Sequence, residues 1–174
     1  MSKTIADLAA DKTSYDLMKV RFDNAQVVYA DGKNFILREG GKALDVMNSS
    51  LNLQQGACYK GTVKLKVTYD NGILKAYDIA GKTDATDITL VSQPTTKANP
   101  IVCTVAEAAQ HPGDLIKLEG QAVTVWYSSY YVYQEVGNDD AYVRFSNGKE
   151  KGLQNGKQYD LTVWYDEYNG DPWA

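Results

Sequence analysis

The sequence predicts an all-β protein built as two tandem five-stranded Greek-key barrels, each introduced by one short helix. Three observations carry that expectation. Apolar and polar residues alternate in short runs such as Val63-Lys64-Leu65-Lys66-Val67 and Leu161-Thr162-Val163-Trp164, which is the two-residue period of a half-buried strand. Asn71-Gly72 and Asn169-Gly170 supply pairs that tolerate the positive φ of a tight hairpin. The third is an internal correspondence, in which one succession of elements occurs twice along the 174 residues.

Each copy opens on a helix start. Thr4-Ile5-Ala6-Asp7 and Thr104-Val105-Ala106-Glu107 place a Thr N-cap three residues ahead of an acid, a capping-box pattern. Asp16-Leu17-Met18-Lys19-Val20 then matches Asp114-Leu115-Ile116-Lys117-Leu118 as the first strand. Phe35-Ile36-Leu37-Arg38-Glu39 matches Tyr131-Val132-Tyr133-Gln134-Glu135 as the second, which assigns Tyr131 and Tyr133 to the core beside Phe35 and Leu37. Leu53-Gln54-Gln55-Gly56 ahead of Tyr59 matches Leu153-Gln154-Asn155-Gly156 ahead of Tyr159.

Strands are expected in the first copy at 17–30, 34–39, 43–47, 58–69 and 73–79. Five short strands leave open edges unless they close on themselves, and a Greek-key barrel is the smallest closure, with the helix plugging an open end. The polar, Pro-containing stretch around Ser92–Pro100 has linker chemistry. The expected organisation is a first barrel over 1–92, a linker over 93–100 and a second barrel over 101–174. The last hairpin signal falls close to the end of the sequence, so the final strand of the second barrel is expected to be short or missing.

Composition narrows the function classes. At 44% hydrophobic and 23% charged residues the chain has a globular balance rather than a disordered one. No apolar run approaches the roughly 20 residues of a membrane span, and no signal-peptide pattern opens the chain. A net charge of −4 argues against a generic polyanion binder. That average hides an asymmetry: residues 1–98 carry 13 Lys/Arg and 11 Asp/Glu, residues 99–174 carry 5 and 11. The second, acidic part holds eight of the 13 tyrosines. Cys58 and Cys103 form no disulfide framework and are expected to be free and buried.

Groups for catalysis are scarce. The single histidine, His111, lies in Gln110-His111-Pro112-Gly113 and is expected to end a helix rather than act as a base. No nucleophile-elbow, phosphate-loop or metal-ligand spacing occurs. Asn138-Asp139-Asp140 and Asp166-Glu167 with Asp171 match no calcium loop and read as polar turns. The expectation is a non-enzyme, with no metal and no cofactor.

Taken together, a Val-rich first strand, an aromatic-aliphatic second strand ending in Glu39 and Gly41 or Glu135 and Gly137, Leu53-x-x-Gly56 or Leu153-x-x-Gly156, and an Asn-Gly hairpin resemble the OB-fold. The resemblance is to the nucleic-acid-type modules found in tandem in bacterial surface and secreted lipoproteins and nucleases. The chain departs from the family in placing its helix ahead of the first strand. What the resemblance implies is a binding module for single-stranded nucleic acid in an extracytoplasmic bacterial protein, with further domains in a longer parent. A carbohydrate-binding or protein-interaction module of a bacterial surface protein, and an accessory domain of a secreted nuclease, are the alternatives.

The family's ligand face lies on strands two and three with their flanking loops. Carried onto this chain it gives Trp126, Tyr130, Gln134, Tyr142, Arg144, Trp164 and Tyr168 in the second copy. Alternation sends Tyr142 and Arg144 outward if Val143 and Phe145 point in, and Trp164 outward if Leu161 and Val163 point in. Exposed aromatics also suit strands for pairing alone, and Tyr/Trp platforms suit a neutral glycan as well as bases. The first copy offers Arg38, Lys60, Lys64 and Lys66 as phosphate contacts, although a lysine stripe also protects a sheet from edge association.

Overall fold

The computed structural model describes residues 1–83, 87–135, 137–145, 147–168 and 171–173, the side chains of 167, 168 and 171–173 excepted. The chain divides into two units, Met1–Asn99 and Pro100–Ala174.

The first unit begins with β1 (Ser2–Lys3), then α1 (Ile5–Asp11). Thr4 caps α1 in a full capping box: Asp7 N donates to Thr4 Oγ1 at 3.1 Å and Thr4 N donates to Asp7 Oδ2 at 2.9 Å. These bonds hold the Asp7 carboxyl below its ordinary range. Strands β2 (Tyr15–Ala30), β3 (Phe35–Glu39), β4 (Lys42–Met47), β5 (Cys58–Asp70) and β6 (Ile73–Tyr77) follow, and β7 (Ile88–Ser92) ends the unit. Antiparallel pairs β2–β3, β3–β4, β6–β5 and β5–β2, with β4 parallel to β6, return the sheet to its starting strand. This is a closed five-strand Greek-key barrel, an OB-like architecture. Its strands match the expected ones to within a few residues.

Alternation explains the core. Tyr59, Val63, Leu65 and Val67 of β5 point inward to meet Phe22, Phe35, Leu37 and Leu44, and Ile5 and Leu8 of α1 are buried in the same cluster. Each such side chain contributes about 1.5–3 kcal/mol. Two strands were not expected. β1 lies parallel to β2, and β7 runs antiparallel to β5 at Cys58–Gly61. β7 exposes both Leu90 and Val91, so its sequence carries no inward–outward period to read.

The second unit comprises β8 (Ile101–Val102), α2 (Val105–Ala108), β9 (Leu115–Ala122), β10 (Thr124–Trp126), β11 (Ser129–Glu135), β12 (Asn138–Phe145), β13 (Gln158–Trp164), β14 (Asp166–Tyr168) and β15 (Asp171–Trp173). They form two sheets, ordered β10-β11-β12-β15-β14 and β13-β9-β8. Thr104 and Glu107 make the same capping box on α2. Val105, Ile116, Leu118, Val132, Val143, Phe145 and Leu161 share one core. β9 gives way to β10 at Val123, and β13 to β14 at Tyr165, where the first unit has the continuous strands β2 and β5. No helix among the described residues is long and apolar enough to cross a membrane.

One set of bonds recurs in both units. Val27 N donates to Ala57 O at 2.9 Å, and Gly56 N to Val27 O at 2.7 Å; Val123 N donates to Lys157 O at 2.9 Å, and Gly156 N to Val123 O at 2.7 Å. The Tyr59 hydroxyl accepts from Gln54 N at 3.0 Å, and the Tyr159 hydroxyl from Gln154 N at 3.1 Å. Gly56 and Gly156 sit at φ 79° and 74°, which favours glycine. At Gly56 a Cβ would also lie 2.1 Å from Thr95 Oγ1.

A second tie is a set of hydrogen bonds to a carboxylate. Asp78, just past β6, accepts from Ser49 Oγ at 2.6 Å, Ser50 N at 2.6 Å and Ser50 Oγ at 2.5 Å, latching the β4–β5 connection. Burial pushes this carboxyl up, but the three hydrogen bonds outweigh it and hold the group below its ordinary value of 3.8.

Replacing Tyr59 by Phe is expected to cost about 1 kcal/mol in denaturant unfolding, since one intramolecular bond is lost. The same change at Tyr159, which is less buried, should cost less. A group whose folded pKa is depressed stabilises above its unfolded value and loses that contribution as pH falls through the folded one. Asp78→Asn should therefore lower stability at neutral pH and flatten its decline below about pH 4, as read from unfolding midpoints across that range. An equal decline in both proteins would remove Asp78 as an acid-sensitive tie.

Candidate functional site

The hairpin of β10 and β11 builds the most aromatic surface among the described residues. Val125 pairs with Tyr130 and Trp126 with Ser129, leaving Tyr127-Ser128 as a two-residue turn. Such turns require positive φ, and Tyr127 adopts 53°, a costly conformation for a bulky residue. Trp126 and Tyr127 are 64% and 89% exposed and meet edge-on at 5.2 Å.

Pairing then decides the faces. Val132 lies opposite Val143 and Tyr130 opposite Phe145, and all four pack in the core cluster or against it. Tyr131 lies opposite Arg144, and Tyr133 opposite Tyr142, all half-buried on the outer face. Tyr131 and Tyr133 stack at 5.9 Å, and Tyr142 contacts Tyr131 and Tyr133 at 5.8 Å each. The Arg144 guanidinium stands 6.0 Å from the Tyr131 ring, while its Nη2 donates to Ser129 Oγ at 3.2 Å. Trp126, opposite Ser129, is on the same face. The outward placing of Tyr142 and Arg144 agrees with alternation.

The core assignment of Tyr131 and Tyr133 is corrected. Leu37 faces Leu44 in β4, whereas Val132 faces Val143 in β12, so the counterpart of Leu37 is Val132 rather than Tyr133. A shift of one residue moves every side chain to the other face. The same shift removes Tyr130 from the site. It packs against the core, and a Cβ on Gly148 would lie 2.4 Å from its ring. Alternation counted back from Val143 and Phe145 across the Glu135–Asn138 pair places Tyr131 and Tyr133 outward and Tyr130 inward.

Other expected members fall elsewhere. Gln134 Oε1 accepts from Ala106 N at 3.1 Å and so fastens α2 to β11. Trp164 is half-buried on β13, its Nε1 donating to Gly113 O at 3.1 Å. The Tyr168 side chain, with those of Glu167 and Asp171, lies outside the described residues. In the first unit the outer face of β3 and β4 is closed: Ile36, Ala43 and Asp45 are buried there. Arg38 on that face donates to Asn99 O at 2.9 Å, and Asn99 Nδ2 donates to Gln26 Oε1 at 2.9 Å. Arg38 therefore secures the segment after β7 instead of presenting itself to a ligand. Lys60, Lys64 and Lys66 are exposed on the outer side of β5.

Among the described residues, the histidine and the cysteines lie away from the aromatic face. His111 N donates to Ala108 O at 3.0 Å in the turn after α2. Cys58 and Cys103 are free thiols, both half-buried, and burial with Glu107 nearby pushes the Cys103 thiol up, keeping it protonated. Among the described residues no group of three His, Cys, Asp or Glu side chains is placed to hold a metal.

Burial, Asp139 and Tyr131 together push the Tyr133 phenol above its ordinary value of 10.0. Tyr133 should therefore ionise later than an ordinary tyrosine in an alkaline absorbance titration. Tyr133→Phe should remove a late-titrating phenol, and loss of an early one instead would contradict this placement.

No protein-family model matches the chain, and no curated protein does. Among solved structures it is similar to the p204 HINb domain, with a TM-score of 0.39 and 10% identity over 87% of this chain and 90% of that one. A structure described as the molecular basis for abrogation of activation of pro-inflammatory cytokines gives 0.34 and 11%, over 92% and 86%. Another, described as structural mimicry for functional antagonism, gives 0.34 and 11%, over 92% and 88%. Likenesses at this level carry no argument, and the barrel assignment stands on the strand pairing of the first unit.

Proposed function

We propose that the chain is a non-catalytic binding module for single-stranded nucleic acid, which it engages on the outer face of β10, β11 and β12. The observation that carries this reading is the cluster of Tyr131, Tyr133 and Tyr142 with Arg144 against Tyr131. Bases stack on such rings for about 1–3 kcal/mol each, and a guanidinium adds stacking and phosphate contacts. The exposed Trp126 extends the same face.

The same proposal takes the second unit as a variant of the first barrel. Its pairings keep the first unit's order once β9 with β10, and β13 with β14, are each counted as one bent strand, and β15 supplies a three-residue last strand. A tandem arrangement in a bacterial extracytoplasmic protein belongs to this proposal through the sequence resemblance alone. An accessory domain of a nuclease would be a narrower form of it.

A neutral carbohydrate is the second reading. The excess of acids in residues 99–174 and Asp139 close enough to affect Tyr133 oppose a polyphosphate but not a glycan.

Fluorescence anisotropy with labelled oligothymidylate should show binding at roughly 50 mM salt that weakens at roughly 200 mM. The double variant Y131A/Y142A should bind at least about tenfold more weakly, from the loss of two stacking surfaces. Absence of binding at the lower salt refutes the nucleic-acid reading, and tryptophan quenching by a neutral oligosaccharide in its place selects the carbohydrate one.

A further inference from the structure

The first unit's barrel has a second outer surface, made by β2, β5 and β6, and its chemistry differs from the closed β3–β4 face. Alternation on β5 sends Lys60, Thr62, Lys64, Lys66 and Thr68 outward. Across the ladder, Lys19 lies opposite Lys64 and Arg21 opposite Thr62, while Lys66 lies opposite Tyr77 and Thr68 opposite Lys75. The surface is thus a continuous sheet face holding six cations, one ring and two hydroxyls.

Lys75 lies opposite the buried Asp45 of β4, but the charges of Lys66 and Arg21 are only loosely compensated. Lys66 pairs with Asp16 at 3.7 Å, and that Asp16 side chain is fully exposed. Arg21 pairs with Asp23 at 3.1 Å, also in solvent. Exposed pairs of this kind contribute little and are easily displaced. Among the described residues, no carboxylate lies within ion-pair distance of Lys19 or Lys64. Cross-strand partners have Cβ atoms about 4.5–5.5 Å apart, and like charges there destabilise a sheet. A like-charged pair at mid-barrel is a cost to the fold that a bound polyanion would remove.

We infer that the outer face of β2, β5 and β6 is a phosphate-backbone track for single-stranded nucleic acid. The inference rests on the function proposed above and assigns it a second contact surface, remote in sequence from the tyrosines. Lys64 and Lys66 repeat every second residue, about 6.8 Å along a strand, a spacing close to that between successive phosphates of an extended single strand. Tyr77 beside Lys66 offers a base a stacking surface within the same track.

The test is anisotropy with labelled oligothymidylate, on the full chain, across a salt series. K19Q/K64Q should bind at least about tenfold more weakly at low salt, and its log–log salt slope should fall in magnitude by about 1.4, the value for two phosphate contacts. Its thermal midpoint should be unchanged or raised, because a repulsive pair has gone, so weaker binding will not reflect unfolding. K33Q/K82Q removes the same charge from exposed turns and should leave the slope unchanged. Equal losses in both variants would reduce the effect to net charge and overturn the inference. Binding weakened by Y131A/Y142A but indifferent to K19Q/K64Q would overturn it while leaving the aromatic site intact. Binding weakened only by K19Q/K64Q would uphold the track and remove the aromatic site. Absence of oligonucleotide binding by the unaltered protein, or retention of a sulfated polysaccharide in its place, would overturn the track as a nucleic-acid site.

Discussion

A hydrogen-bonded corner, centred on Gly56 in one unit and Gly156 in the other, governs much of what the rest of each unit can do. The glycine amide donates to the carbonyl of Val27 on β2, or of Val123 between β9 and β10; that valine's amide donates back to the residue after the glycine, and a tyrosine hydroxyl three residues on ties the turn. The corner lies where the first strand leaves the fourth and turns toward the second. Pinning it sets the phase of the strand that leaves it. With Tyr59 pointing inward, Val63, Leu65 and Val67 follow into the core and every lysine of β5 faces water.

From that shared corner the two units diverge in surface chemistry. Alternation makes inward positions answerable to the core, where volume and polarity are constrained, and leaves outward positions free to differ. In the first unit the outer face of β3 and β4 is buried and Arg38 is engaged with Asn99, so its cations stand exposed on β2 and β5. In the second unit the counterpart strands carry three tyrosines and Arg144 in mutual contact. The aromatic and cationic surfaces therefore lie on different strands of their respective units. Burial, rather than residue preference alone, accounts for the closure of the first unit's face.

Local polar ties reinforce this plan. The capping boxes fasten α1 and α2 at equivalent points, so Ile5 and Leu8, or Val105 and Ala108, enter their cores. Gln134 holds the amide of Ala106, and the Trp164 indole holds the Gly113 carbonyl. Both side chains have ligand-binding chemistry, yet each is occupied by an internal bond. A polar side chain on a sheet face is free for further contacts only when the backbone around it needs no donor or acceptor.

Much of the fold was legible in the sequence because its signals are local. The capping boxes, the five strands of the first unit's barrel and the outward lysines of β5 each depend on residues within one turn or one strand. The aromatic face was legible in part: alternation sends Tyr142 and Arg144 outward, as the pairing does, but the strand correspondence sends Tyr131 and Tyr133 to the core, where the pairing puts Tyr130 instead. A strand's alternation is local, but its phase relative to the core is set by a partner strand, here by Val132 against Val143. The sequence by itself determined which segments alternate and where the helices start. Only the tertiary structure decided which side of β11 faces the core, which face of the first unit's barrel is closed and which polar groups are already engaged, because each depends on contacts between residues far apart in the chain.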